Sequence, residues 1–160
     1  MPSNLISFDV NGLYILLSDI GAESQFHWGL YLATASKEGI IFHVVNGPQT
    51  GYNWEYQRKK SYNVPSSLTL LVGMKIAVME PLLHEALAER LDAVPVAPSS
   101  RYGAITCRVW VKEALHALDD EGYIKLTTTV DMIEDEVTFA ATENKSHMRR
   151  TTARSRGSIA

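Results

Sequence analysis

Three residues of this chain have the types and the spacing for thiol chemistry. Cys107 is its only cysteine. It follows Thr106 and heads a segment in which Cys107, Trp110, Val111, Ala114, Leu115 and Leu118 recur at helical spacing. Thr106 can cap that helix, which places Cys107 in its first turn. The unpaired N–H groups and the positive end of the helix dipole favour a thiolate there. A thiol nucleophile also needs a base that takes its proton and returns it to a leaving group. Histidine suits this because its pKa lies near neutrality, and His27 and His43 are the candidates. One would act as the base and the other would hold it in one tautomer.

The elements that must position these residues are legible as strands followed by helices. Leu13–Leu17, Phe26–Thr34, Ile40–Val45, Tyr52–Arg58 and Leu68–Val78 read as strands, separated by turn signals such as Ser36-Lys37-Glu38-Gly39 and Asn46-Gly47-Pro48. The second and third form a hairpin. If Ala33 faces Gly39, then Gly29 faces His43 and His27 faces Val45. The two imidazoles are then diagonal neighbours on one face, with Cβ atoms roughly 7 Å apart. A slip of one residue separates them; a slip that preserves parity keeps them together. Gly29 leaves room between the rings, and the cysteine helix is the longest apolar candidate to cover that face.

Three helices follow. The first opens at Glu80-Pro81, buries Leu83, Leu87, Ala88 and Leu91, and ends before Pro95. The cysteine helix stops at Gly122. The third begins at Thr127-Thr128-Thr129 and turns Val130, Ile133, Val137 and Ala140 or Ala141 inward. Grouped strands beside grouped helices predict an α+β fold: an antiparallel sheet of about five strands packed on about three helices.

A chain of 160 residues, 46% hydrophobic and 21% charged, describes one ordinary globular domain. One cysteine excludes an internal disulfide framework and a cysteine-rich zinc site, and it fits a reducing compartment. Met1–Val10 lacks the basic start and apolar run of a signal peptide, and no stretch reaches the ~20 apolar residues of a membrane span, so a cytoplasmic location is expected. The net charge is −3, but Lys145, Arg149, Arg150, Arg154 and Arg156 follow Glu143 with no acid among them. Residues 1–143 are therefore read as the domain. Residues 144–160 are read as a basic tail, expected to be flexible and a candidate contact for anionic partners. The acidic body argues against a nucleic-acid-binding face.

Trp28, Tyr31, Trp54 and Arg108 are candidates for lining a substrate groove. Trp110 reads as core, and Glu134-Asp135-Glu136 as a solvated helix face. No phosphate loop, paired-carboxylate site or metal cluster stands out, so neither a cofactor nor a metal is expected.

Phe26-His27-Trp28-Gly29-Leu30-Tyr31-Leu32, Ile41-Phe42-His43 and Thr106-Cys107-Arg108-Val109-Trp110 together resemble the circularly permuted papain fold. The pattern is most similar to the lecithin:retinol acyltransferase-like group, within a superfamily that includes peptidoglycan amidases and permuted isopeptidases. It also resembles an uncharacterised family of small fungal proteins, which implies no substrate. The resemblance implies His27 as general base, His43 as orienting group and Cys107 as nucleophile. Where the acyltransferase group has Asn-Cys-Glu-His-Phe, this chain has Thr-Cys-Arg-Val-Trp at 106–110, and the membrane anchor common in those lipid enzymes is not expected here. The expected function is a cysteine-dependent hydrolase or acyltransferase that acts through an acyl-thioester on an amide, ester or thioester. The alternative is a catalytically silent protein of the same fold that binds a protein partner.

Overall fold

The computed structural model describes residues 5–160; the first four residues of the Met1–Val10 segment lie outside them. The fold is α+β. Six strands run β1 (Gly12–Asp19), β2 (Phe26–Ala33), β3 (Gly39–Val45), β4 (Glu55–Ser61), β5 (Leu70–Val78) and β6 (Thr151–Arg154). They form one sheet in the order β4-β3-β2-β1-β5-β6, antiparallel throughout except for the parallel pair β5–β6. Three helices, α1 (His84–Asp92), α2 (Cys107–Asp120) and α3 (Val130–Ser146), complete it. Among the described residues, no helix is long and apolar enough to cross a membrane.

Both faces of the sheet are covered, which explains why β1 is buried from Gly12 to Leu17 without alternation. On one face α2 lies over β2 and β3, and α3 lies over β5 and β1. Leu13, Ile15, Trp28, Leu30, Phe42 and Trp110 share the core between these layers. On the other face Phe8, Tyr14, Tyr31, Val64 and Leu70 make a second cluster. Residues 5–9 and the β4–β5 connection cover it, tied together by the Ile6 N–H to the Pro65 carbonyl. Phe8 meets the rings of Tyr14 and Tyr31 edge-on, with centroids 4.8 and 5.0 Å away. Gly73 makes this possible, since a Cβ there would stand 2.7 Å from the Phe8 ring.

The C-terminal segment corrects the expectation of a free tail. β6 pairs with β5 from Val72↔Thr151 to Lys75↔Arg154. Asn144, buried on α3, donates to the Leu71 carbonyl and to Thr151 Oγ1, both at 2.8 Å, so it joins α3 to both strands. Ser155 and Ser158 are buried beyond β6. Lys145 bonds Asp19 and the Ala22 carbonyl, Arg149 bonds Asn144, and Arg150 bonds the Ser67 carbonyl. Positive charge here anchors an ordered strand, so the domain extends past residue 143.

The charged helix faces also differ from expectation. Lys112 is only 3% exposed. Its ammonium lies 3.9 Å above the Tyr102 ring and bonds Asp131 and Glu134 at 2.8 and 2.5 Å. Glu134 also takes Arg108 at 2.6 Å, and Glu136 accepts from Ser155 Oγ and the Arg156 N–H. Glu134 and Glu136 thus bind neighbouring elements as well as solvent.

Candidate functional site

α2 forms where its apolar period predicts. Thr106 adopts an extended conformation, and its hydroxyl accepts the Val109 N–H at 3.2 Å, so Cys107 is the first helical residue. At the far end Gly122, with φ of 80°, lets the Tyr123 N–H reach the Leu118 carbonyl and the Gly122 N–H reach that of Asp119. This left-handed stop needs a glycine.

The β2–β3 hairpin has the parity that brings two histidines together. Its ladder runs from Ala33↔Gly39 to Leu30↔Phe42. A Cβ on Gly29 would stand 3.4 Å from that of His43, so Gly29 admits the imidazole beside it. His27 Nε2 and His43 Nδ1 are 2.8 Å apart, and His43 Nε2 is 3.2 Å from Gln57 Oε1 on β4. Gln57 lies opposite His43 in the β3–β4 register.

Gln57 is placed with its amide oxygen toward His43, and that placement assigns the protons along the chain. A glutamine oxygen only accepts, so His43 Nε2 carries hydrogen and His43 Nδ1 is bare. That atom accepts from His27 Nε2–H, which leaves His27 Nδ1 as a bare lone pair. Among the described residues nothing bonds this nitrogen, and it is not sealed from solvent. Burial lowers the pKa of His27 to about 4, with a further contribution from His43, so the ring is neutral at pH 7. Burial lowers His43 too, against the opposing Gln57 bond.

Cys107 meets the same stretch of β2 from another side. Its sulfur lies 3.5 Å from the Trp28 N–H and 3.8 Å from the Phe26 carbonyl. These groups face β3: Ala33 gives its carbonyl to Asn11 on the β1 side, Thr34 gives its N–H to Glu38 on the other, and strand groups alternate. The ladder to β3 has ended by Trp28, so the sulfur takes up main-chain groups that a strand partner would otherwise bind. Burial raises the thiol pKa; the N–H groups of Trp28, Arg108 and Cys107 oppose this without reversing it. The helix start alone predicts a thiolate, and desolvation outweighs it.

The sequence candidates are thus only partly assembled. His27 and His43 meet, and the sulfur touches the backbone on either side of His27. No hydrogen bond joins the sulfur to an imidazole among the described residues. α2 covers the face of β2 that carries Phe26, Trp28 and Leu30, whereas His27 and His43 border a cavity of about 110 Å³ on the other face, beside Leu16, Val64 and Leu70. The expectation that the cysteine helix covers the histidine face is corrected. The reason is that β2 is apolar on both faces, and the larger Trp28 and Leu30 side went to the helices.

The groove candidates disperse. Trp28 is buried in the main core and Tyr31 in the second cluster, so neither lines an open groove. Trp54 is half-buried against the main core, and Arg108 pairs with Glu134. Gln57, which completes the histidine chain, escaped the sequence reading. Its signal is register: the residue opposite His43 on the next strand is the one able to orient it.

No group of three or more histidine, cysteine, aspartate or glutamate side chains among the described residues could hold a metal ion. No curated protein and no solved structure matches the chain. Residues 13–125, a stretch that holds His27, His43 and Cys107 and ends before α3, match the profile of one family. The chain belongs to that family, the family of unknown function DUF6540.

Proposed function

We propose that this protein is a cysteine-dependent hydrolase or acyltransferase of permuted papain-like arrangement, with Cys107 as nucleophile, His27 as base and His43 as the group that orients it. The observation that carries the reading is the hydrogen-bonded chain Gln57–His43–His27, which leaves the one bare imidazole nitrogen at His27 Nδ1. An orienting bond to one ring nitrogen with the other free is what a general base for a thiol requires, and a turn of the Cys107 side chain must bring the sulfur to it.

The resting pair is a neutral thiol and a neutral imidazole, so proton transfer accompanies attack. The thiol turns from the Phe26 carbonyl toward His27. Its proton passes to His27 Nδ1 as the sulfur bonds the carbonyl carbon of an amide, ester or thioester. The Cys107 N–H, at the start of α2, is a donor for the resulting oxyanion. The intermediate collapses to an acyl-Cys107 thioester, and the leaving amine, alcohol or thiol departs with the proton held by His27. Water or an amine then attacks the thioester carbon and gives its proton to His27; the C–S bond breaks, the carboxylic acid or amide departs, and His27 returns the proton to the Cys107 sulfur.

A second reading rests on the sulfur's own contacts. Cys107 is 8% exposed and bonded to two main-chain groups of β2, which suits a structural residue in a catalytically silent protein. Intact-mass analysis after incubation with 4-nitrophenyl acetate separates the two. The enzyme reading requires a single acyl adduct on Cys107 in native protein, slowed roughly 10–100-fold by His27→Gln and less by His43→Gln. Equal rates in wild type and His27→Gln, or an adduct formed only after unfolding, would decide for the silent protein.

A further inference from the structure

We propose that the groove between α3 and β6 docks an extended acidic segment of another protein, added as a strand to the free edge of β6. Three independent observations meet there. The first is space and apolar surface: the groove encloses about 730 Å³, and Met132 and Phe139 of α3 border it while 58% and 68% exposed. They stand two helical turns apart on one side of α3, and neither belongs to a buried cluster.

The second is an edge with no strand partner among the described residues, touched at one point where the Thr152 hydroxyl donates to the Ser7 carbonyl. β6 is the last strand of the sheet. The Ser155 N–H bonds the Lys75 carbonyl on the β5 side, so alternation turns the main-chain groups of Thr152 and Arg154 outward. β6 carries neither proline nor lysine, the usual guards against pairing. A strand added here would send alternate side chains into the groove beside Phe139 and Met132.

The third is charge. Lys145, Arg149 and Arg150 are all engaged, but the side chains of Arg154 and Arg156 have no hydrogen bond or ion pair among the described residues. Arg156 borders the groove, and Arg154 stands at the edge shared by the groove and the recess of Ser7, Asp9 and Lys75, on the face that Thr152 takes toward Ser7. The carboxylate of Glu136 is already taken by Ser155 and the Arg156 N–H, and that of Asp9 by Lys75, which leaves Asp135 as the one unengaged acid among the residues that line these two recesses with Arg154 and Arg156. A partner segment that alternates apolar and acidic residues satisfies edge, groove and charge together.

A displayed library of random ten-residue peptides, selected on the purified full chain, tests this. Expected are enriched sequences that alternate acidic and apolar residues and bind saturably. Their affinity should fall by roughly tenfold or more in Arg154→Glu/Arg156→Glu and in Phe139→Asp. All three positions are exposed, and an unchanged melting temperature shows that each variant is folded. Bound peptide should slow amide exchange at Thr152 and Arg154. Failure to enrich any sequence, or enriched peptides that bind both variants as well as wild type, would overturn the proposal. So would self-association of the wild type that these variants abolish, because the occupant would then be a second copy of this chain.

Discussion

His27 Nε2 lies 2.8 Å from His43 Nδ1, across the point where β2 and β3 cease to pair. The bond joins two neutral rings, because both are desolvated and a proton on either would sit beside the other. Its direction is set by Gln57, a residue on a third strand.

A pH dependence of stability follows. The folded pKa of His27 is about 4 against an ordinary 6.5, so below pH 6.5 the unfolded chain binds a proton that the folded chain resists. The stabilisation is full above pH 6.5, declines as pH falls from 6.5 to 4, and levels off below. A shift of this size corresponds to about 3 kcal/mol at most. Urea unfolding between pH 4 and 7 should show a shallower decline in His27→Gln than in wild type. Parallel curves would mean that the ring protonates freely in the folded protein.

Cys107 should resist labelling. Burial raises its thiol, so alkylation by iodoacetamide at pH 7 should be slow in native protein and fast once urea has unfolded it. Intact mass reads the result cleanly because there is one thiol. Under the enzyme reading, slow iodoacetamide labelling coexists with acylation by an activated ester, since His27 removes the proton only as the acyl carbon is attacked. Rapid alkylation that levels off below pH 7 would show instead a preformed thiolate.

The C-terminal segment should prove essential to stability. Deleting residues 151–160 removes β6, the Ser155 bond to Glu136 and the Ser158 bonds to the Ile76 and Lys125 carbonyls. It also exposes β5. A loss of several kcal/mol is expected, a fall in Tm of about 10 °C or more for a chain of this size. Ser158→Ala alone should cost about 1–2 kcal/mol, because it removes the buried hydroxyl bond to the Ile76 carbonyl, while the Lys125 carbonyl keeps the Ile159 N–H. A truncated protein that melts with the wild type would refute the packing of β6.

Lys112 offers a test of the α2–α3 contact. Burial pulls its pKa down, but the bonds to Asp131 and Glu134 outweigh this and hold it protonated. Lys112→Ala removes the partner of Asp131 and of one Glu134 oxygen, leaves Glu134 only Arg108, opens a void beside Tyr102, and should cost about 2–3 kcal/mol. Lys112→Met keeps the packing on Tyr102 and should cost less. Equal losses in chemical denaturation would show that charge, rather than volume, sets the effect.

What was legible in the sequence is what local physics decides. The period of α2, its Thr106 cap and its Gly122 stop depend on neighbours within a few residues, and all three stand as read. The β2–β3 register followed from a short turn and from parity, which also brought His27 to His43. Tertiary structure decided the rest. β2 carries Phe26, Trp28, Leu30 and Leu32 on one face and His27, Gly29, Tyr31 and Ala33 on the other, so alternation could not say which face α2 would cover. That choice set the sulfur against the backbone beside His27, away from its ring. β6 is four residues with no apolar period, and it becomes a strand only because Asn144, Ser155 and Ser158 hold it to distant partners. Pairings across such sequence distances leave no periodic trace, because the residues that make them are chosen by where the helices come to rest.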